Sequence, residues 1–159
     1  MTDAIRTHIV KLLDSEEAHV DFDKAVADLP AELRGRRVKG FAHSPWELVE
    51  HLRLAQRDLL DFCRDPNYTA PKWPDDYWPA RPEPPDAVAW DRSLVAFRND
   101  REALKAFTAD PGLDLTAKIP HGSGQTYLRS ILLVADHNAY HLGQLVAVRQ
   151  QLGAWHGSR

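Results

Sequence analysis

Residues 134–145 read VADHNAYHLGQL, and how this stretch is read decides both the fold and the site. Val134, Leu145 and Val148 recur at helical spacing, so the stretch belongs to a helix whose apolar stripe faces a core. His137 and His141 lie four apart on that stripe, which puts them about 6 Å apart at Cβ on one face. Buried imidazoles cost desolvation free energy unless their nitrogens are satisfied. Two arrangements satisfy them: one divalent metal shared by both rings, or two core histidines each hydrogen-bonded to a neighbour.

Outward from this stretch, helical periodicity continues and no segment alternates in the manner of a strand. The helix itself is predicted over residues 125–152, with Gly153 ending it. A first helix is predicted over 3–28, with Ile5, Ile9, Leu12, Leu13 and Val20 on one side, stopped by Pro30 and the Gly35–Gly40 stretch. A second starts at SPWE, where Ser44 caps, Pro45 suits the first helical position and Glu47 completes a capping box. It should run to about Arg64 with Leu48, Leu52, Ala55, Leu59 and Phe62 inward. A third opens at Asp86, carries Trp90, Leu94, Phe97 and Leu104, and closes at Asp110-Pro111-Gly112.

Four amphipathic helices make an all-α four-helix bundle, here one domain over residues 1–159. The segment 65–85, DPNYTAPKWPDDYWPARPEPP, holds seven prolines in twenty-one residues, which forbids a regular element and favours extended chain. At roughly 3 Å per residue it can run the ~30 Å length of a helix and serve as a crossover between parallel second and third helices. The expected order is therefore up-down-down-up. The aromatic residues Tyr68, Trp73, Tyr77 and Trp78 suit either a lid or simple anchors for the loop.

Bulk properties narrow the function classes. A 159-residue chain with 43% hydrophobic and 27% charged residues is an ordinary globular composition. A net charge of −3 gives no basic footprint for nucleic acid and no polybasic patch for a membrane surface. The longest apolar run, ILLVA at 131–135, is too short to cross a bilayer. The start MTDAIRTHIVKLL has no signal-peptide pattern, so a cytoplasmic protein is expected. Cys63 is the single cysteine, which excludes an internal disulfide and the cysteine-rich zinc patterns.

His51 tips the balance between the two arrangements for the histidines. Leu48 precedes it by three and Ala55 follows by four, so it faces inward near the capped end of its helix. In the expected order that end lies beside the later part of the last helix, at the level of His137 and His141. Three imidazoles from two helices form a facial set with open positions, the pattern of a reactive metal centre. His121 and Cys63 are each about 18 Å or more along a helix axis from that level. HNAYH has the spacing of a zinc protease motif, but Asn138 stands where a proton-accepting Glu is required. A di-iron centre needs two Glu-x-x-His motifs, and only Glu16-x-x-His19 is present.

At these residues the chain resembles the DinB-like superfamily. The likeness runs through HSPWELVEHLRLAQ at 43–56, PDDYWP at 74–79, HGSGQTYLRSILLVADHNAYH and the ending DHNAYHLGQLVAVRQQLGAW, which together span most of residues 30–155. It implies a four-helix bundle of up-down-down-up order and a divalent metal on His51, His137 and His141. The superfamily includes transferases that attach low-molecular-weight thiols such as bacillithiol or mycothiol to electrophiles, and proteins proposed to be metal-dependent hydrolases. Several members are dimers, so a homodimer is one assembly the resemblance admits.

Three neutral imidazoles leave a bound cation its full double charge, enough to acidify a bound water or thiol to neutral pH. The favoured expectation is a metal-dependent transferase joining a small thiol to an electrophile. The alternatives are a hydrolase, a non-catalytic metal-binding stress protein, or three packed core histidines. Zinc, nickel and iron all suit imidazole. Glu47 is expected chiefly to cap its helix, with a hydrogen bond to the second nitrogen of His51 as the other role, and Gln144, one turn past His141, to support the metal site or to bond across to a neighbouring helix. Trp78, Trp90, Arg36, Arg37 and Trp155 are expected near the same end of the bundle, lining a pocket or, for the arginines, simply solvated. His19 and Asp23 can reach the metal level but are expected as surface or boundary residues. Asp136 points away by about 100°. Gly143 costs about 1 kcal/mol in a helix interior, which close approach of a neighbouring helix would explain.

Overall fold

The computed structural model describes residues 3–14 and 18–155. Among them the chain forms α1 (Asp3–Asp14), α2 (Phe22–Val26), α3 (Pro45–Arg64), α4 (Ala89–Ala109) and α5 (Tyr127–Gln151). Short 3-10 turns occupy Ala31–Leu33 and Asp75–Tyr77, and an isolated antiparallel bridge joins Lys118 to Thr126. No described residue belongs to a strand, so the fold is all-α. The single helix expected over 3–28 is instead two pieces. Asp21, in extended conformation, accepts from the Lys24 N–H and starts α2 as a separate helix. That side-chain cap satisfies a backbone donor that a continuous helix would have used internally. Ile5 and Leu12 of α1 are exposed, while Ile9 and Leu13 are buried, so the apolar side is narrower than its sequence suggests.

α3 begins where the letters place it. The Ser44 side chain accepts from the Glu47 N–H, the Glu47 carboxylate accepts from the Ser44 N–H at 2.8 Å, and Pro45 takes the first helical position. The third predicted helix starts three residues late, at Ala89, because Asp86 spends its carboxylate on the Val88 N–H in a preceding turn. Thr126 caps α5 by accepting from the Arg129 N–H.

Contacts between helices fix their relative direction. Ser93 donates to Glu50 at 2.7 Å, Gln56 to the Phe97 carbonyl at 2.8 Å, and Arg57 to Asp100 at 3.3 Å. These pairs advance together along α3 and α4. Against α5 the sense reverses, with His51 near the start of α3 meeting His137 and His141 in the later half of α5. Leu60 of α3 then packs in one cluster with Ile131 and Val134. The segment 65–85 spans the distance between the end of α3 and the start of α4.

The core has two clusters. One gathers Ile9, Leu13, Leu60, Leu104, Leu115, Ile131, Val134 and Ala135. The other includes Phe22, Trp46, Leu48, Leu52, Trp90, Phe97, Leu142, Leu145 and Val148. Between them Asn138 donates to Gln56 at 3.0 Å, and Gln56 donates on to α4, a polar tie linking three helices. Asn138, a misfit for protease chemistry, is thus a buried structural group. No described helix is long and apolar enough to cross a membrane.

Candidate metal centre

His51 on α3 and His137 and His141 on α5 offer ligand nitrogens that all lie within 4.8 Å of one another. His51 and His141 are buried and His137 is half-buried. The Nε2 atoms of His51 and His137 stand 3.0 Å apart, and the His51 and His141 rings meet edge-on at 4.6 Å.

The outward nitrogens set the tautomers. His51 Nδ1 lies 2.8 Å from the Tyr77 carbonyl oxygen, which only accepts, so Nδ1 carries the proton and Nε2 a lone pair. His141 Nδ1 lies 2.7 Å from Gln144 Oε1, which likewise leaves the lone pair on Nε2. Burial is the largest influence on His51 and pushes it down to about 4, with His141 and His43 adding to the effect and the Tyr77 carbonyl opposing it. His137 is also pushed down to about 4, by burial first and then by His141 and His51. Burial lowers His141 too. All three rings are therefore neutral at pH 7, the form that ligates metals.

This donor set fits a divalent cation. In a tetrahedral site with metal–nitrogen bonds of about 2.1 Å, ligand nitrogens sit about 3.4 Å apart, close to the 3.0 Å between His51 and His137 Nε2 and inside the 4.8 Å that contains all three ligand nitrogens. The outer nitrogens of His51 and His141 each have the oxygen partner typical of metal-bound histidines.

The other expected neighbours divide. Trp78 lies parallel to His51 at 3.8 Å, with His43 stacked on it, also at 3.8 Å. Gln144 orients His141. Glu47 does not reach His51; its carboxylate is held by Arg37 and by its own capping box, and the Tyr77 carbonyl takes its place. Burial alone would raise the Glu47 carboxyl, but Arg37 and the Ser44 N–H bring it below the usual range. Asp23 is also committed elsewhere, to Arg98 at 2.6 Å and Arg101 at 3.1 Å. Trp90 is 2% exposed in the core beneath Arg34, Arg36 is exposed, and Trp155 lies under Arg149. His19 is exposed on its own loop, and Glu16 lies outside the described residues.

Gly143 is exposed, and a Cβ there would meet nothing within 4 Å, so no helix approaches closely. Two residues not expected to support the histidines belong to the site: Tyr77 through its carbonyl, and His43 through Trp78. PDDYWP gave Tyr77 and Trp78 as loop aromatics, but a backbone acceptor carries no sequence signal.

A cavity of about 300 Å³ lies on the outer side of the centre, lined by Gly40, Phe41, Ala42, His43, Leu48, Gln144 and Val148 and by none of the three clustered histidines. Gln144 belongs to both the cavity wall and the support of His141.

Comparison with known families decides the relationship: residues 15–145 match the DinB superfamily. The chain belongs to the DinB superfamily. Its match takes in α3, α4 and most of α5, including all three histidines. No curated protein and no solved structure matches the chain. Within this DinB-superfamily protein, the three histidines form a cluster able to hold a metal ion.

Proposed function

We propose that this protein is a mononuclear, divalent-metal-dependent enzyme that transfers a low-molecular-weight thiol to a small electrophile. The observation that carries the reading is the all-imidazole donor set of His51, His137 and His141, with no carboxylate among the clustered ligands. A dication held only by neutral ligands supplies Lewis acidity that favours a thiolate over a thiol at neutral pH.

The chain's own residues supply the rest. The Tyr77 carbonyl and Gln144 fix the His51 and His141 rings with their Nε2 lone pairs inward. Trp78 covers one face of His51 and keeps water from that side. The cavity bounded by Phe41, Leu48 and Val148 offers an apolar wall for an organic electrophile, with His43 and Gln144 as its polar groups. The donor set equally serves activation of water, so ester or amide hydrolysis is the second reading, and a metal-binding stress protein the third.

Elemental analysis of protein purified without an affinity tag tests the centre itself. Near-stoichiometric zinc, nickel or iron is expected, and His51→Ala should abolish it while the helical circular dichroism persists. Metal-free wild-type protein would leave three packed core histidines. Metal-loaded protein is then assayed for conjugation of a small thiol to an electrophile and for ester and amide cleavage. Conjugation supports the transferase, cleavage alone replaces it with the hydrolase, and inactivity in both leaves a binding protein.

A further inference from the structure

We propose that Tyr77 is a positioning residue for the metal centre, through which metal occupancy and docking of the proline-rich segment 65–85 become a single coupled equilibrium. The inference rests on the metal reading above and adds a part of the chain outside the three ligands.

Tyr77 grips α3 at two places. Its backbone carbonyl accepts the His51 Nδ1 proton at 2.8 Å, and its phenol donates to Asp58 Oδ2 at 2.7 Å. Asp58 follows His51 by seven residues, two helical turns, so both grips fall on the same face of one rigid rod. The other carboxylate oxygen of Asp58 accepts from Tyr68 at 2.5 Å. Among the described residues no cation pairs with Asp58: its neighbour Arg57 is engaged by Asp61 and Asp100. The carboxylate thus serves as an anchor for two phenols of the same segment. Both phenols are pushed up, by burial first and then by Asp58 itself, so they remain donors at neutral pH.

The next residue completes the grip. Trp78 stacks on His51 with only 3° between the ring planes. His51 is consequently oriented by the segment at its ring edge and its ring face together. An undocked segment removes the acceptor that keeps the Nδ1 proton in place and frees the ring to rotate away from His137 and His141. Loss of such an outer partner typically weakens metal binding 10–100-fold. By reciprocity, metal must favour the docked segment by the same factor.

Tyr68 provides an internal control, because it shares Asp58 but contributes no contact to His51. Zinc affinity is measured by chelator competition for untagged wild type, Tyr77→Phe and Tyr68→Phe, alongside hydrogen exchange of residues 72–80 with and without zinc. Tyr77→Phe should weaken zinc about tenfold and Tyr68→Phe less than about threefold. Zinc should slow exchange over 72–80 in the wild type and do so much less in Tyr77→Phe. Asp58→Ala leaves Tyr77 itself intact and should weaken zinc at least as much as Tyr77→Phe, a second check should that variant fold poorly. Wild-type zinc binding with Tyr77→Phe unaffected, or with both tyrosine variants equally weakened, overturns the proposal alone. A wild type that binds no zinc overturns the metal reading and this one with it.

Discussion

Ile131 and Leu145 sit on the same helix, both fully buried, yet their surroundings differ. Around Ile131 the apolar cluster includes Leu60, Leu104, Leu115 and Val134, each at most 1% exposed, and the fully buried polar groups nearby are the small hydroxyls of Ser130 and Thr108. Around Leu145 the cluster is built beside His51 and His141, which are 2% and 8% exposed, with Gln56 and Asn138 closing it off from the other end. Hydrophobic stabilisation follows the apolar area removed from water, whereas buried polar groups contribute only when every partner is in place. Both ends of the bundle therefore hold the fold through an apolar cluster. The end at Leu145 also takes imidazoles and amides into core positions, where they form a site.

The heaviest test of that contrast is a truncation in the apolar end. Leu104→Ala, at a position 0% exposed, should cost about 2–5 kcal/mol in urea denaturation while leaving zinc stoichiometry unchanged in the folded protein. A cost below about 1 kcal/mol would show that this end does not carry the stability.

Acid attacks the opposite end. His51 and His137 titrate near 4 in the folded protein, against the ordinary 6.5 of an unfolded histidine. Between those values the unfolded chain takes up protons that the folded rings refuse, so stability falls as pH drops from 6.5 towards 4. Above 6.5 both states are neutral at these rings, and their effect on stability is constant. Metal-free protein should show this loss in urea midpoints, and the His51→Ala/His137→Ala double variant should show a flatter profile. Equal slopes for the two proteins would remove the buried histidines as the cause.

A smaller effect is expected at the polar tie. Asn138→Leu leaves the Gln56 oxygen buried without its donor, which should cost about 1–3 kcal/mol in thermal or urea unfolding. An unchanged midpoint would show that the layer between the clusters tolerates apolar contact. Smallest is a gain: Gly143→Ala has open space for its methyl group and should stabilise α5 by about 0.5–1 kcal/mol with metal content unchanged. Destabilisation there would reveal a close approach that the geometry does not contain.

The reach of the sequence follows the same division. Ser44, Pro45 and Glu47 announced the start of α3 because capping is local chemistry, readable within four residues. His51, His137 and His141 were legible because helical spacing alone puts each on an inward face, and the structure brings them within 4.8 Å. Longer-range choices were not legible. Glu47 and Asp23 each had arginines available, at Arg37 and at Arg98 and Arg101, that no local pattern ties to them. Tyr77 acts on His51 through a backbone oxygen, a group every residue possesses, so nothing in its letter marks it. The break between α1 and α2 was missed because Asp21 reads as an ordinary polar position until its cap forms.

Arg149 is 2% exposed, and its guanidinium donates to the Ala25, Ala27 and Ala154 carbonyls. Burial pulls its pKa below the ordinary arginine value, and Asp28 works against that shift. A single side chain thereby ties the short second helix to the turn that closes the last one. Disturbance at either place is felt at the other. An alteration near residue 154 would loosen a segment more than a hundred residues earlier in the chain.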